Sequence, residues 1–133
     1  MKKLLHVILS LVIVLCFSAC KDSPEDLVFD ESDLYGTWQE GSVYEHYYDS
    51  FIERILPNGD TVKVNGTTWD KDDDMSEDEA QLFNWTLTGS VLKHEHVGTF
   101  VVIPKLYTIT ELDGNKLVYK DDYGTTHHFS KVR

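Results

Sequence analysis

Three histidines are the residues of this chain whose type and spacing most directly suggest chemistry. His94 and His96 alternate in "LKHEH", so on a β-strand their imidazoles lie on the same face as Leu92. His127 likewise shares a face with Phe129. If Leu92 and Phe129 point into a barrel, the three imidazoles converge at its mouth. Three such groups can bind zinc, but scattered histidines are common on strands and no carboxylate is clearly placed to join them as a ligand. We therefore predict that they contact a ligand, without a metal.

An acidic segment, "WDKDDDMSEDEAQLF" at 69–83, suggests a second kind of site. Asp70, Asp72 and Asp74 match the first three ligands of a calcium-binding loop. Met75 stands where that loop needs glycine, and Gln81 stands where it needs a bidentate glutamate. The pattern therefore favours a solvated acidic segment over a calcium site.

The same segment is longer than an ordinary hairpin connection. Ser76 followed by Glu79 is a capping-box pattern, which predicts one or two helical turns. Long loops on compact barrels often cover a site, so one prediction is a lid at the open end, with Trp69 and Phe83 in contact with the ligand. The alternative is a solvated acidic loop that covers nothing.

Catalytic patterns are missing from the sequence. Serines and histidines are present, but no stretch has the form of a nucleophile elbow. The carboxylates cluster in loops, so no acid–base pair across a cleft is indicated. The chain is predicted to be a non-enzyme without a cofactor.

Cysteine chemistry points to the N-terminus. Met1-Lys2-Lys3 is followed by an apolar run from Leu4 to Phe17, which is shorter than the roughly 20 residues of a membrane-spanning helix. The run ends in "FSAC", which resembles the lipobox of bacterial lipoproteins and makes Cys20 the predicted lipidation site. The alternative is an uncleaved anchor. After cleavage before Cys20 no second cysteine remains, so no intramolecular disulfide or cysteine zinc site is possible.

The residues after Cys20 bear on localisation. "CKDSPED" resembles the acidic export signal that one Gram-negative phylum uses to send lipoproteins to the cell surface. A competing interpretation takes Asp22 as the inner-membrane retention signal of enteric bacteria. We predict a lipid-anchored outer-membrane protein that faces the cell surface.

Composition narrows the possible partners. The chain has 23 acidic and 12 basic side chains, a formal net charge of −11. Such a chain repels nucleic-acid phosphates and anionic membrane surfaces, so nucleic acid is excluded and only a lipid is predicted to hold the protein at the membrane. The length suits one domain, and a monomer is predicted.

Short alternating segments separated by turn signals follow from Leu34. They are 37–48, 50–56, 61–64, 84–89, 90–103, 105–112, 116–120 and 127–132, with turns predicted at Pro57–Asp60, 113–115 and 121–126. This succession of short alternating segments and turns predicts an all-β fold. The predicted organisation is a signal peptide at 1–19, an acidic tether at 20–33 and a β-domain at 34–133.

Several stretches of the β-domain resemble lipocalins. Gly36, Thr37 and Trp38 in "DLYGTWQE" are similar to the G-x-W entry strand of that family, and 54–66, 84–93, 107–119 and 127–132 resemble the lipocalin-like domains of Gram-negative lipoproteins. The resemblance implies a small antiparallel up-and-down β-barrel of about eight strands. It also implies that Gly36 bends the first strand and that Trp38 plugs the closed end, with Lys131 or Arg133 over its ring.

The family resemblance implies a carrier or sensor of small apolar molecules. The first functional hypothesis is therefore a barrel that binds a small apolar or aromatic molecule in its mouth. The second is an interaction module with a filled interior that binds a surface protein or glycan, with the aromatic stretch around Tyr44, Tyr47 and Tyr48 as a sugar platform. Small-barrel inhibitors of lysozyme or proteases rank third because those folds often rely on a disulfide.

The free volume inside the barrel distinguishes the first two hypotheses. A ligand has no room if the interior is filled by Trp38, Trp85, Tyr107, Ile109, Tyr119 and Phe129.

Overall fold

A computed structural model describes residues 27–132 of the chain. The predicted signal peptide, Cys20 and residues 20–26 of the predicted tether lie outside the described residues, as does Arg133. The strands are β1 (Gly36–Glu40), β2 (Val43–Ile55), β3 (Thr61–Asp70), β4 (Gln81–Thr88), β5 (Val91–Val97), β6 (Val102–Leu112), β7 (Lys116–Lys120) and β8 (Thr126–Lys131). Three short 3₁₀ turns span Glu31–Asp33, Lys71–Asp73 and Glu77–Glu79.

The eight strands form one closed antiparallel barrel in chain order. Each strand pairs with its neighbour in the sequence, and β1 pairs with β8 through Trp38–Lys131 and Gln39–Ser130. Closure matters because an open sheet would leave a row of unpaired backbone groups at each edge. The predicted all-β, eight-stranded up-and-down barrel is confirmed.

Two of the predicted strand segments are each divided by a turn. Gly41 and Ser42 form a two-residue connection that splits 37–48 into β1 and β2, with Gly41 at a φ of 58°. A turn over 98–101 splits 90–103 into β5 and the start of β6. The hairpin turn predicted at Pro57–Asp60 is present, with Gly59 at a φ of 92°.

Trp38 lies in the packed half of the barrel, which we call the closed end. Its side chain is fully buried, and its indole Nε1 donates a hydrogen bond to the Leu34 carbonyl oxygen at 2.8 Å. The Lys131 ammonium lies 4.6 Å from the centre of the ring, as predicted for Lys131 or Arg133. The surrounding core consists of Leu34, Tyr47, Phe83, Trp85, Leu92, Ile109, Leu117, Tyr119 and Phe129.

Residues just before β1 also pack on the closed end. The Phe29 amide donates a hydrogen bond to the Gly89 carbonyl at 3.1 Å, and the Phe29 side chain packs against the core. Leu34 is fully buried. The last part of the predicted tether therefore contacts the barrel and brings the chain in at the end opposite Glu40.

The β2–β3 hairpin departs from the barrel wall. The register of β2 against β3 shifts between Tyr47 and Ile52, and β3 pairs with β4 only from Gly66 to Thr68. At Asn65, next to the last paired residue of β3, the side chain takes the place of the backbone hydrogen bonds to β4. Its amide oxygen accepts a hydrogen bond from the Trp85 N–H at 2.8 Å. The hairpin tip, 54–57, borders a cleft that it shares with 78–82 and 97–99.

Within residues 27–132, no helix has both the length and the apolar character needed to cross a membrane.

Candidate functional site

The interior face of the barrel is fixed by the short first hairpin. The turn at Gly41–Ser42 pairs Trp38 with Glu45 and Gly36 with Tyr47. Because directly paired residues of neighbouring strands lie on the same face, the inward position of Trp38 also turns Glu45 and Tyr47 inward. A carboxyl group is thereby placed among the core aromatic rings.

Glu45 is buried and hydrogen-bonded by two tyrosines. The Tyr47 hydroxyl donates to Glu45 Oε1 at 3.0 Å, and the Tyr119 hydroxyl reaches Oε1 at 3.0 Å and Oε2 at 3.2 Å. Tyr47 also contacts His94 Nε2 through its hydroxyl at 2.9 Å. Four interior side chains from β2, β5 and β7 therefore form one polar network inside the barrel.

Burial changes the acid–base chemistry of this network. Loss of solvent raises the pKa of Glu45 to about 7, although hydrogen bonds from Tyr119 and Tyr47 favour the ionised form. The pKa values of both Tyr47 and Tyr119 are raised, first by burial and then by the nearby Glu45 charge. Both hydroxyls therefore remain protonated donors, and Glu45 changes its charge near neutral pH.

His94 and His96 are buried beside this network. Within the part of the chain that the structure describes, His94 Nδ1 and both ring nitrogens of His96 have no hydrogen-bond partner. Burial lowers the pKa of His96 to about 4 and lowers that of His94 well below its usual range. Both imidazoles are therefore neutral at pH 7, and three of their four nitrogens have no hydrogen-bond partner among the described residues.

A cleft of about 450 Å³ opens at the end where β1 stops and β8 begins, which we call the mouth. Inward-facing Tyr107, Tyr119 and His127 line it, together with Asp121 and Asp122 from the β7–β8 turn. Its volume is within the range of small-molecule pockets. The far wall is the start of β6, at 103–106.

His127 holds the rim of the mouth in place. Its Nδ1 lies 2.8 Å from Glu40 Oε1, and its Nε2 lies 2.9 Å from Asp121 Oδ2. Partial burial disfavours the imidazolium ion, but the hydrogen bonds to Asp121 and Glu40 outweigh this and raise the pKa of His127. His127 therefore links Glu40 to Asp121 and fixes the position of the acidic rim.

Three of the five residues predicted to bind a ligand come together inside the barrel. The Phe83 ring stacks on His94 with centroids 4.1 Å apart, and the Phe83 and His96 rings lie 5.3 Å apart. His127 lies at the rim. It is connected to His94 by Tyr107 and Tyr119, with successive centroid distances of 4.8, 4.4 and 5.4 Å.

The fifth residue, Trp69, lies on the outside of the barrel. Its partner in β2 is Tyr44, which alternates with inward-facing Glu45, and the two rings stack at 5.3 Å. The structure therefore does not bring Trp69 to the mouth. The predicted sugar platform is also divided, because Tyr47 lies in the core whereas Tyr44 and Tyr48 lie on the outer face.

The acidic connection is shorter than predicted and does not cover the mouth. Trp69 and Phe83 belong to strands, so only 71–80 connects β3 to β4. The Glu77 carboxylate accepts a hydrogen bond from the Tyr48 hydroxyl at 2.6 Å and pairs with His46, and both partners are on the outer face of β2. The predicted lid is corrected to a strap along the outer wall, because Glu77 fastens it there.

Metal-binding geometry is not found among residues 27–132, where no group of three histidine, cysteine or acidic side chains is arranged to hold an ion. One carboxylate of the calcium-like pattern has a local role, since Asp70 Oδ1 accepts the Asp72 N–H at 2.9 Å.

Glu45 is the site residue that sequence reasoning missed. Its neighbours in "VYEHYY" suggest only a strand, and the face of each residue depends on the register. The signal that could have found it is Gly41-Ser42, a suitable two-residue hairpin loop. With Trp38 inside, that loop alone assigns Glu45 to the interior.

Comparison of the chain with protein-family models, curated proteins and solved structures gives no match.

Proposed function

We propose that the protein is a lipid-anchored, lipocalin-like binding protein of the bacterial cell envelope. It holds a small apolar or aromatic molecule in the mouth of its barrel, without catalysis. The observation that supports this function is the aromatic cleft of about 450 Å³, whose Tyr107 packs edge-on against buried His94, one of two imidazoles with unpartnered nitrogens among the described residues. Buried polar groups of this kind are normally satisfied, so each one calls for a partner.

The packing of the lower barrel limits the position of the ligand. Five of the six residues expected to fill the interior, including Trp38, Trp85 and Phe129, are buried in one cluster, and Tyr107 packs against it. A deep lipocalin cavity is incompatible with this core. The proposed site is therefore a shallow pocket that meets the interior polar network at Tyr119.

The proposed anchor is consistent with access to this pocket. Phe29 enters at the closed end, where its amide contacts Gly89, whereas the mouth lies at the end of β1. A lipid on Cys20 would therefore join the barrel at the end opposite its mouth. We propose an outer-membrane, surface-facing location in which the mouth is directed away from the membrane.

Native mass spectrometry of the protein purified from its own host tests the binding function. We expect a retained molecule with a mass of a few hundred daltons, which is released on denaturation. Tyr107→Ala should reduce its occupancy, whereas Phe51→Ala, a change at a 63% exposed aromatic residue that does not line the cleft, should leave it unchanged. Protein from the host that never carries a bound molecule would contradict the proposal.

A second candidate function is supported by an exposed apolar ridge. Phe100 is 93% exposed, and Val101, Val102 and Ile103 beside it are each about half exposed. Contiguous apolar surface of this kind often marks a protein-binding site. Under this alternative, the barrel is a non-enzymatic interaction module. Crosslinking on intact cells should then recover one partner with the wild-type protein and lose it with Phe100→Ser.

A further inference from the structure

The hydrogen bonds inside the barrel determine what kind of group they can still accept. When Glu45 is ionised, the Tyr47 hydroxyl gives its one proton to Glu45 Oε1 at 3.0 Å. Tyr47 must then accept from His94 Nε2 at 2.9 Å, which places the imidazole proton on Nε2. His94 Nδ1, which has no partner among the described residues, is left with a free lone pair. A matching group must be a donor.

His96 extends the same requirement. Its neutral ring has one donor and one acceptor, and neither has a partner within residues 27–132. With Glu45 and His94 Nδ1, the interior offers three acceptors against one donor. A ligand that presents several N–H groups satisfies this set, whereas a carboxylate does not.

The charges around the mouth favour a cation. Glu40, Asp121 and Asp122 lie at the rim, and Glu45 lies below them, behind Tyr119. The opposing cations are His127, whose nitrogens are already shared by Glu40 and Asp121, and Lys105, whose side chain is exposed at the rim. Four carboxyl groups against two cationic side chains give a net negative potential, which concentrates cations.

The walls of the cleft favour an aromatic or alkyl body. Tyr107 and Tyr119 both line the cleft, and their rings pack on each other with centroids 4.4 Å apart and planes tilted by 36°. Tyrosine faces attract both aromatic rings and ammonium groups. Tyr107 also packs edge-on against His94, so a molecule that stacks on Tyr107 is separated from the interior network by one ring.

We propose that this mouth selects small aromatic amines, whose ring stacks on Tyr107 and Tyr119 and whose ammonium group is attracted by the acidic rim and by the charge of Glu45 behind Tyr119. This inference deepens the proposed binding function and depends on it. It assigns a ligand class, a primary amine on a flat apolar body, and it identifies Glu45 as the residue that distinguishes an amine from a neutral or anionic analogue.

Three probes of one shape separate charge from shape. They are 2-phenylethylamine, 2-phenylethanol and phenylacetate, which present a cation, a neutral hydroxyl and an anion on the same ring. Affinities are measured by isothermal titration calorimetry at pH 8, where Glu45 is mostly ionised because its pKa is about 7. We expect the amine to bind at least tenfold more tightly than the alcohol, and the acid to bind most weakly.

Glu45→Gln is the informative variant because glutamine keeps an oxygen for the hydroxyls of Tyr47 and Tyr119. It should lower the preference for amine over alcohol severalfold, with the rim carboxylates still in place, while leaving the affinity for the alcohol within about threefold. The matched control is Glu111→Gln, which removes the same charge from an exposed β6 residue near the closed end that pairs with Lys116 at 3.7 Å. The control should keep the full preference.

Each other outcome overturns the inference. Equal affinity for amine and alcohol, or tighter binding of the acid, rules out selection for amines. No measurable binding of any probe at millimolar concentration rules out this ligand class, and an amine preference that is undiminished in Glu45→Gln rules out the assigned residue. None of these results tests the broader binding function. That function is tested separately by native mass spectrometry of the protein purified from its host.

Discussion

At the residue scale, the buried carboxyl group of Glu45 links stability to pH. Its pKa is about 7 in the folded protein, against an ordinary value of 4.5. Between these values the native state binds more protons than the unfolded chain, so the contribution of Glu45 to stability decreases as pH rises. His94 and His96 have the opposite effect, since their lowered pKa values cost stability as pH falls below 6.5.

The pH dependence of unfolding should therefore change in Glu45→Gln. Other groups that act on this carboxyl are Tyr47, Tyr119, His127 and Glu40, and the variant leaves all of them in place. We expect the variant to gain on the order of 2 kcal/mol relative to wild type between pH 5 and pH 8, measured by urea unfolding at both pH values. Parallel pH profiles for the two proteins would show that Glu45 is solvated in the native state.

Trp38 is the second residue that a single substitution can test. It is fully buried, and Trp38→Ala removes its packing, its hydrogen bond to Leu34 and its contact with Lys131. We expect a loss of about 3–5 kcal/mol in the free energy of unfolding. Trp38→Phe should cost less, because a ring still fills most of the space. A loss below about 1 kcal/mol in the alanine variant would contradict its role at the closed end.

At the element scale, strands and turns could be predicted from alternation and turn residues, but their faces could not. The segments at 116–120 and 127–132 match β7 and β8 closely. The run 37–48 hides the Gly41–Ser42 turn, and one missed turn is enough to lose the orientation of Glu45. The shift in register after Tyr47 has no local signal, because it depends on how the hairpin meets the rest of the barrel.

The strap was harder to predict for a similar reason. Sequence properties identify 71–80 as acidic and mostly polar, but its position depends on tertiary contacts, among them those of Glu77 with two outward side chains, His46 and Tyr48. Those partners could be recognised only once Tyr47 was known to point inward. The same missing information on strand faces explains why the sequence pattern predicts Trp69 at the mouth although it faces outward.

Gly66 tests the packing between β3 and β4. A Cβ atom there would lie 2.2 Å from the Phe83 ring, a distance that real side chains do not tolerate. We expect Gly66→Ala to cost about 1–3 kcal/mol in thermal or urea unfolding. Gly114→Ala is the matched control, because a Cβ at that turn meets nothing within 4 Å. Combining Gly66→Ala with Phe83→Leu should recover part of the loss, and equal effects of the two single glycine substitutions would disprove the close contact.

The strap gives a prediction about local opening. Glu77→Ala removes the carboxylate that binds Tyr48, so 71–80 should separate from the outer wall while the barrel stays folded. Amide exchange in the strap should accelerate on the order of tenfold, as expected for loss of a charged hydrogen bond. Asp78→Ala, an exposed neighbour of equal charge, should leave exchange unchanged. Similar exchange in the two variants would indicate that other contacts hold the strap.

At the scale of the whole molecule, the chain enters at the closed end and the mouth lies opposite. The closed end is filled by aromatic rings and needs no disulfide, since only Cys16 and Cys20 are present in the sequence. The acidic character, a net charge of −11, repels anionic surfaces. A membrane location therefore depends on the lipid proposed for Cys20, and it would leave the mouth accessible to molecules outside.

That dependence makes Cys20 the residue whose loss should move the protein. Two or more acyl chains anchor a protein stably, whereas the acidic barrel by itself has no electrostatic attraction to the membrane. Cys20→Ser expressed in a Gram-negative host should therefore lose labelling by radioactive palmitate and leave the membrane fraction. Cys16→Ser is the control, because that residue lies within the predicted signal peptide and should change neither result. If Cys20→Ser remains with the membranes, the apolar run at 4–17 is an uncleaved anchor, and the proposed orientation of the mouth would then depend on that segment.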